Sequence, residues 1–126
     1  MQFGYTILYV DDVPAALAHY EAAFGLATRF LHESGTYGEL ETGATALAFA
    51  ARELLAQQGK ATASPVRGQP SFEIALTTDD VPAALARAIA AGATLVQEAK
   101  AMPWGQVVGY VDDRHGFRVE VCTPMG

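Results

Sequence analysis

Hydrophobic and polar positions follow two different periods along this chain. In several short segments they alternate, as is typical of strands, and in two longer segments apolar residues recur at intervals of three or four, as in helices. The order strand–helix–strand–strand–strand occurs in the first half and again in the second. The predicted helices begin at Val13 and Val81 and end at Gly25 and Gly92. The predicted strands are 3–10, 27–30, 38–40, 45–50, 72–78, 94–96, 107–111 and 118–122.

An eight-residue sequence occurs twice and marks two copies of one structural unit. Residues 11–18 and 79–86 both read DDVPAALA, in each case directly after a predicted strand. The second aspartate is suited to cap a helix by accepting a hydrogen bond from a free backbone N–H. The proline falls in the first helical turn, where its missing N–H is harmless. The repeat therefore predicts the fold class α+β, built from two tandem βαβββ modules.

The length and composition fit one globular domain. With 126 residues, of which 51% are hydrophobic, the chain is long enough for one substantial core and too short for two domains. We expect a single domain, 1–126, with modules at about 1–52 and 71–126. The linker between them is then 53–70, with a short helical segment at 53–58.

The charge and the hydrophobic runs of the chain indicate which classes of partner and which cellular location to expect. The net charge is −6, and the basic residues are scattered, which argues against a nucleic-acid partner and against an anionic membrane surface. No apolar run approaches the roughly 20 residues that span a bilayer, and no signal peptide is evident. We therefore expect no membrane partner and a cytoplasmic location. The single cysteine, Cys122, cannot form an internal disulfide, which agrees with this expectation.

Two glutamates stand out because strand alternation places them on the sheet face opposite the core. Glu73 opens the first strand of the second module, and Glu120 lies between Val119 and Val121 in the last strand. A carboxylate in such a place is costly unless it is paired or hydrogen-bonded. If the two lie close together, repulsion between them raises the pKa of one, which suits general acid–base catalysis.

Three interpretations of this glutamate pair remain open. In the first, the carboxylates hold a hard divalent cation whose shell is completed by waters and substrate oxygens. In the second, they are polar anchors in a metal-free cavity that binds a cationic or amide-rich ligand. In the third, they are structural, and Arg118, Tyr5 or backbone donors satisfy them.

One strand of the first module, 45–50, has alanine at every position of one face. This face either packs closely against a bulky neighbour or forms the floor of a cavity. Together with nearby aromatic residues and a few polar groups, it matches the usual composition of a small-molecule pocket. The candidate ligand-binding residues are Tyr5, Ile7, Ala48, Trp104, Tyr110 and Arg118.

Several motifs resemble one known superfamily. They are LYVDD at 8–12, AHY at 18–20, FGL at 24–26, PWGQ at 103–106, DD at 112–113 and VEVC at 119–122. These segments resemble the vicinal oxygen chelate superfamily, which includes glyoxalase I, extradiol dioxygenases, fosfomycin-resistance enzymes and bleomycin-resistance proteins. The resemblance implies two βαβββ modules that form an open, curled mixed sheet around a cavity, and it implies a homodimer.

The resemblance also bears on metal binding. Metal-dependent members carry four ligand positions on the first and last strands of their modules, and these positions correspond here to Tyr5, Ala48, Glu73 and Glu120. Because Ala48 has no donor atom and a neutral Tyr5 is a poor ligand, no cofactor and no metal is expected. A divalent metal, if one is present, would use Glu73 and Glu120, which are also the candidate catalytic residues.

The resemblance implies a glyoxalase/bleomycin-resistance-like protein that binds a small cationic or aromatic molecule in its barrel cavity and so sequesters a drug or metabolite. The alternative is a divalent-metal-dependent lyase, isomerase or dioxygenase that uses Glu73 and Glu120. Whether the chain is an enzyme stays open; an enzyme would be a glyoxalase-type lyase or a dioxygenase. A third hypothesis is a structural or regulatory partner domain, which predicts no enclosed cavity.

Overall fold

The computed structural model describes residues 1–125 and divides the chain into two units. Unit 1 comprises Met1–Ser64 and unit 2 comprises Pro65–Gly126. Each unit contains four strands and one long helix, and unit 1 has an additional short helix. In chain order the elements are β1 (Tyr5–Val10), α1 (Val13–Phe24), β2 (Thr28–Leu31), β3 (Tyr37–Leu40), β4 (Ala46–Ala51), α2 (Arg52–Gln57), β5 (Ile74–Thr77), α3 (Val81–Ala90), β6 (Thr94–Ala101), β7 (Val107–Asp112) and β8 (Arg118–Cys122).

Unit 1 is a four-stranded mixed sheet with the strand order β1-β4-β3-β2, and α1 packs against it. Helix α1 carries the chain from β1 to the opposite edge of the sheet, and two antiparallel connections then return it to β4, which lies parallel to β1. Side chains that point towards α1 are buried, among them Leu8, Val10 and Phe49. They pack with Leu17 and Tyr20 of the helix to form the core of unit 1.

Unit 2 repeats this arrangement with the strand order β5-β8-β7-β6, and α3 packs against its sheet. Strand β5 is parallel to β8, and the other neighbouring strands are antiparallel. The core again consists of the alternate strand residues that face the helix, including Val111, Val119 and Val121, together with Val81 and Leu85 of α3. The architecture is therefore α+β with two open, mixed, four-stranded sheets, as the repeat predicts.

The repeated DDVPAALA sequence begins both long helices as expected. The side chain of Asp12 accepts a hydrogen bond from the backbone N–H of Ala15 at 2.9 Å, and Asp80 accepts one from Ala83 at 3.1 Å. A proline occupies the first turn of each helix. Helix α1 ends at Gly25, whose φ of 70° lies in the left-handed region that favours glycine.

Equivalent glycines let each helix lie close to its sheet. A Cβ added at Gly38 of β3 would lie 2.7 Å from Cδ1 of Leu17, and one added at Gly109 of β7 would lie 2.6 Å from Cδ1 of Leu85. In both places a backbone carbonyl oxygen lies 3.2 Å away as well. Leu17 and Leu85 are the same residue of the repeated sequence, so both units use one leucine–glycine contact to fix the position of the helix.

The predicted strands differ from the observed ones in two places that matter for the site. Strand β6 extends to Ala101, well beyond the predicted end at 96. Irregularities in its pairing with β7 interrupt the alternation of hydrophobic and polar residues, so a prediction from alternation ends the strand too early. Strand β5 begins at Ile74, so Glu73 lies directly before the strand and not within it. The predicted linker contains α2 and the boundary between the units at residue 64. That both units form a single domain stays a prediction.

No helix within residues 1–125 combines the length and the hydrophobicity that crossing a membrane requires.

The close contact between helix and sheet predicts that Gly38→Ala destabilises the protein. The added methyl would press against the buried Leu17 on one side and a backbone carbonyl oxygen on the other. It should therefore lower the free energy of unfolding, measured by urea denaturation, by about 1–3 kcal/mol. Gly4→Ala is the matched control, since no heavy atom lies within 4 Å of its added Cβ, and it should change stability by less than about 0.5 kcal/mol. Equal effects of the two substitutions would contradict this account.

Candidate functional site

Each sheet has one face covered by its long helix and one face turned away from it, which we call the far face. In unit 2, Gly109 faces α3 because its added Cβ would contact Leu85. Its neighbour Tyr110 therefore points to the far face. The cross-strand partner of Tyr110 is Glu120, which lies on the same face, as does Arg118 two residues before it. The far face of unit 2 thus carries three of the candidate residues.

The structure brings Glu73 and Glu120 together on unit 2. Burial raises the pKa of Glu120, the neighbouring charge of Glu73 raises it further, and so does a hydrogen bond between the two side chains. Because like charges repel, ionisation of Glu120 is disfavoured beside the Glu73 carboxylate. The phenol of Tyr110 donates to Oε1 of Glu120 at 3.5 Å, and this hydrogen bond lowers the pKa of Glu120.

The phenol of Tyr110 remains a donor in this setting. Burial raises its pKa, the negative charges of Glu120 and Glu73 raise it further, and the positive charge of Arg118 lowers it. The carboxyl pair and the phenol together form a small polar centre on unit 2. They can accept a hydrogen bond from a ligand or donate one.

Arg118 does not neutralise this carboxyl pair. Its Nε donates to Oδ1 of Asp112 at 2.7 Å, and both side chains are largely buried. Its guanidinium carbon lies 6.0 Å from the centroid of the Tyr110 ring. Arg118 therefore orients Tyr110 and compensates Asp112, while the charge of the glutamate pair is left for a ligand or a proton to balance.

Trp104 is held on the loop between β6 and β7 with most of its surface exposed. Its Nε1 donates to Oε1 of Gln106 at 2.8 Å, and Nε2 of Gln106 donates to the carbonyl oxygen of Thr123 at 2.8 Å. The indole is 63% exposed, although its N–H group is satisfied. A fixed, exposed aromatic ring of this kind is suited to stacking on a planar ligand.

The candidate residues of unit 1 differ sharply in exposure. Tyr5 and Ile7 point to the far face from β1 and are 62% and 42% exposed. Ala48, which pairs with Ile7 in the register of β1 and β4, has no exposed surface. The alanines of β4 are all buried, which favours close packing over an open cavity floor. Ligand contact by Tyr5, Ile7 and Ala48 stays a prediction.

Glu39 and Tyr37 are residues of the far face of unit 1 that the sequence analysis missed. Tyr37 precedes Gly38 and Glu39 follows it. Since Gly38 faces α1, both neighbours point away from the helix. The phenol of Tyr37 donates to Oε2 of Glu39 at 2.8 Å, and Glu39 is only 7% exposed. Burial, followed by the hydrogen bond to Glu39, raises the pKa of Tyr37 to about 12.

The repeat itself could have revealed Glu39. Glu39 of β3 pairs with Ala48 of β4, and in unit 2 the equivalent pair is Tyr110 of β7 with Glu120 of β8. Glu39 therefore occupies the position of Tyr110, and Ala48 occupies the position of Glu120. Each unit therefore has a tyrosine–carboxyl pair on its far face, but the carboxyl group of unit 1 lies on the neighbouring strand. The sequence analysis compared only the first and last strands of the modules, and so it found alanine at the position of Glu120.

The residues present do not fit a four-ligand metal centre. Of the four positions that the superfamily resemblance indicates, Ala48 is a buried methyl group without a donor atom, and only Glu73 and Glu120 carry carboxylates. Within residues 1–125, no group of three or more His, Cys, Asp or Glu side chains could hold a metal ion. The polar groups that the described residues offer a ligand here are the glutamate carboxyl groups and the tyrosine phenols.

Two successive βαβββ units, each with a helix on one face and a polar centre on the other, define a class of α+β proteins that host many different activities on one scaffold. A family model described as the Glyoxalase/Bleomycin resistance protein/Dioxygenase superfamily matches residues 2–121. The chain belongs to this superfamily, which confirms the resemblance seen in its motifs.

Solved structures support the same assignment of the fold. A glyoxalase-related enzyme from Fulvimarina pelagi is 26% identical, with a TM-score of 0.83 over 98% of this chain and 88% of that one. A glyoxalase/bleomycin resistance protein/dioxygenase family enzyme from Burkholderia phytofirmans PsJN is 22% identical, with a TM-score of 0.82 over 98% of each chain. Among proteins with curated descriptions, none matches the chain in sequence.

The polar centre of unit 2 predicts opposite pKa changes in two variants. Glu73→Gln removes a charge and should lower the pKa of Glu120, whereas Tyr110→Phe removes a donor to the carboxylate and should raise it. Carbon-13 NMR of the glutamate side chains during a pH titration measures both. Changes of the same sign would contradict the described contacts.

The same pKa shift has a consequence for stability. Because the pKa of Glu120 is raised on folding, its contribution is fully present below the unfolded-state value of 4.5 and is lost as the pH rises through the higher native value. Glu120→Gln should therefore make the free energy of unfolding less dependent on pH in this range.

Proposed function

We propose that the protein binds a small cationic or aromatic molecule and thereby sequesters a drug or metabolite. The observation that carries the proposal is the polar centre of unit 2, where the carboxyl groups of Glu73 and Glu120 lie close together beside the phenol of Tyr110. A bound cation would offset the repulsion between the two carboxylates, so the pair is suited to hold one positive charge.

The surroundings of the pair favour a ligand that is both cationic and aromatic. Tyr110 offers a phenol donor and an aromatic ring, and the indole of Trp104 is exposed on the same unit. Aromatic faces attract cations and stack on planar groups. The net charge of −6 adds a weak long-range attraction for cationic molecules.

The second candidate function is that of a divalent-metal-dependent lyase, isomerase or dioxygenase. The observation that favours it is the close approach of two carboxyl groups, since Mg²⁺ and similar cations are often bound by one or two carboxylates together with waters and substrate oxygens. The absence of a third protein ligand among the described residues 1–125 makes such binding weak. Metal titration separates the two functions, because sequestration requires no metal.

The proposal predicts that binding of benzylammonium, a small aromatic cation, depends on Glu120 and on pH. Because a cation binds the ionised Glu120 carboxylate more tightly than the protonated acid, the affinity of the wild-type protein should rise as the pH increases through the pKa of Glu120. Isothermal titration calorimetry should show a loss of about tenfold in affinity for Glu120→Gln near neutral pH, corresponding to one charge-assisted hydrogen bond.

Glu98→Gln is the matched control for this titration. It removes the same charge from an exposed position of β6 in the same unit, and it should leave the affinity unchanged. If both variants lose the same affinity, binding depends only on the overall negative charge of the protein, and the proposed site at Glu120 is wrong. Binding that appears only after Mg²⁺ or Mn²⁺ is added would favour the metal-dependent function instead.

We also propose that the protein is a homodimer. Each open sheet ends in two edge strands, β1 and β2 in unit 1 and β5 and β6 in unit 2, and exposed edges are usually covered by pairing or association. Light scattering coupled to size-exclusion chromatography should give about twice the chain mass of 13.3 kDa at micromolar concentration. A mass of 13.3 kDa throughout would contradict the dimer.

A further inference from the structure

Unit 1 has a polar centre of its own, made of residues other than the glutamate pair of unit 2. It consists of Glu39 and Tyr37 on β3 and the aromatic ring of Phe30 on β2. We infer that Glu39 and Tyr37 form a binding site for a protonated amine carried by an aromatic group. This site uses none of the residues on which the proposed function rests.

The charge of Glu39 is the first argument for a cationic ligand. Glu39 is only 7% exposed, and the phenol of Tyr37 is a neutral partner. The two arginines of unit 1 pair elsewhere, Arg52 with Asp11 at 2.9 Å and Arg29 with the exposed Glu41 at 4.0 Å. Among residues 1–125, none forms an ion pair with Glu39. A buried carboxylate without a counter-charge is costly, so a cationic ligand would stabilise it.

The hydrogen bond from Tyr37 is the argument for an amine over a guanidinium group. The phenol occupies Oε2 of Glu39 at 2.8 Å, which leaves Oε1 as the principal free acceptor. A guanidinium group binds carboxylates best through two parallel hydrogen bonds to both oxygens, whereas an ammonium group needs only one oxygen. Because the pKa of Tyr37 is about 12, the phenol remains protonated at neutral pH and continues to occupy Oε2.

The neighbouring rings are the argument for an aromatic ligand. Phe30 is the cross-strand partner of Glu39, is 42% exposed, and has its ring centroid 5.9 Å from that of Tyr37. Tyr5 lies near enough to contribute to the raised pKa of Tyr37, and it is 62% exposed. The rings of Phe30 and Tyr37 beside this carboxylate provide cation–π contacts for the ammonium group and a stacking surface for its aromatic substituent.

The experiment compares three probes that share a benzyl group: benzylammonium, benzylguanidinium and neutral benzyl alcohol. Amide NMR titrations of the full chain report both affinity and location. In the wild-type protein, benzylammonium should bind about tenfold more tightly than benzyl alcohol and should shift the amide signals of residues 30 and 37–39. It should also bind more tightly than benzylguanidinium at this site.

Two variants and one matched control test the assignment to Glu39. Glu39→Gln should abolish the preference for benzylammonium over benzyl alcohol. Glu41→Gln removes the same charge from an exposed position two residues away and should preserve that preference. Tyr37→Phe frees Oε2 and should raise the affinity for benzylguanidinium relative to benzylammonium. This readout keeps the test decisive if Glu39→Gln fails to fold.

The outcomes separate this site from the proposed function. The inference is overturned if no benzyl probe shifts residues 30 and 37–39, if Glu39→Gln keeps the preference for the ammonium probe, or if Tyr37→Phe leaves the order of the two cations unchanged. Loss of binding in Glu120→Gln with no effect of Glu39→Gln would support the site of unit 2 alone. The reverse pattern would support the site of unit 1 and refute the function proposed above.

Discussion

The contact between a helix leucine and a strand glycine determines which residues of each unit are available to a ligand. Leu17 over Gly38 and Leu85 over Gly109 hold the helix so close to the sheet that a single methyl group would not fit between them. The helix therefore shields the strand residues that lie beneath it. Since strand residues alternate between faces, fixing the helix also fixes which strand side chains lie on the far face, and these include Tyr37 and Glu39 in unit 1 and Tyr110 and Glu120 in unit 2.

Placing carboxyl groups on the far faces has an energetic cost that the two units meet in different ways. In unit 2, the carboxyl group of Glu120 lies beside that of Glu73 and accepts a hydrogen bond from Tyr110, and burial together with the charge of Glu73 raises its pKa. In unit 1, Glu39 is alone and accepts one hydrogen bond from Tyr37. Both arrangements satisfy the carboxyl groups only in part. Partly satisfied buried polar groups are common where a protein binds a ligand, because the ligand completes the hydrogen bonding.

Much of this arrangement could be predicted from the sequence because it repeats. The DDVPAALA sequence predicted the start of both helices, and strand alternation placed Glu120 opposite the core. Glu39 was missed because only the first and last strands of the modules were compared, and its carboxylate lies on the neighbouring strand β3. The exposure of Ala48 could not be predicted either, because it depends on how the larger neighbours Ile7 and Glu39 lie over it.

The central claim is that ligands bind to the far faces, at the tyrosine–carboxyl centres. The most direct test is a crystal structure of the protein in complex with benzylammonium. We predict that the ammonium nitrogen lies within hydrogen-bond distance of the Glu39 carboxylate, the Glu73–Glu120 pair, or both, with its ring against the neighbouring aromatic side chains. A probe bound only against the helices, or at positions remote from both carboxyl centres, would contradict the claim.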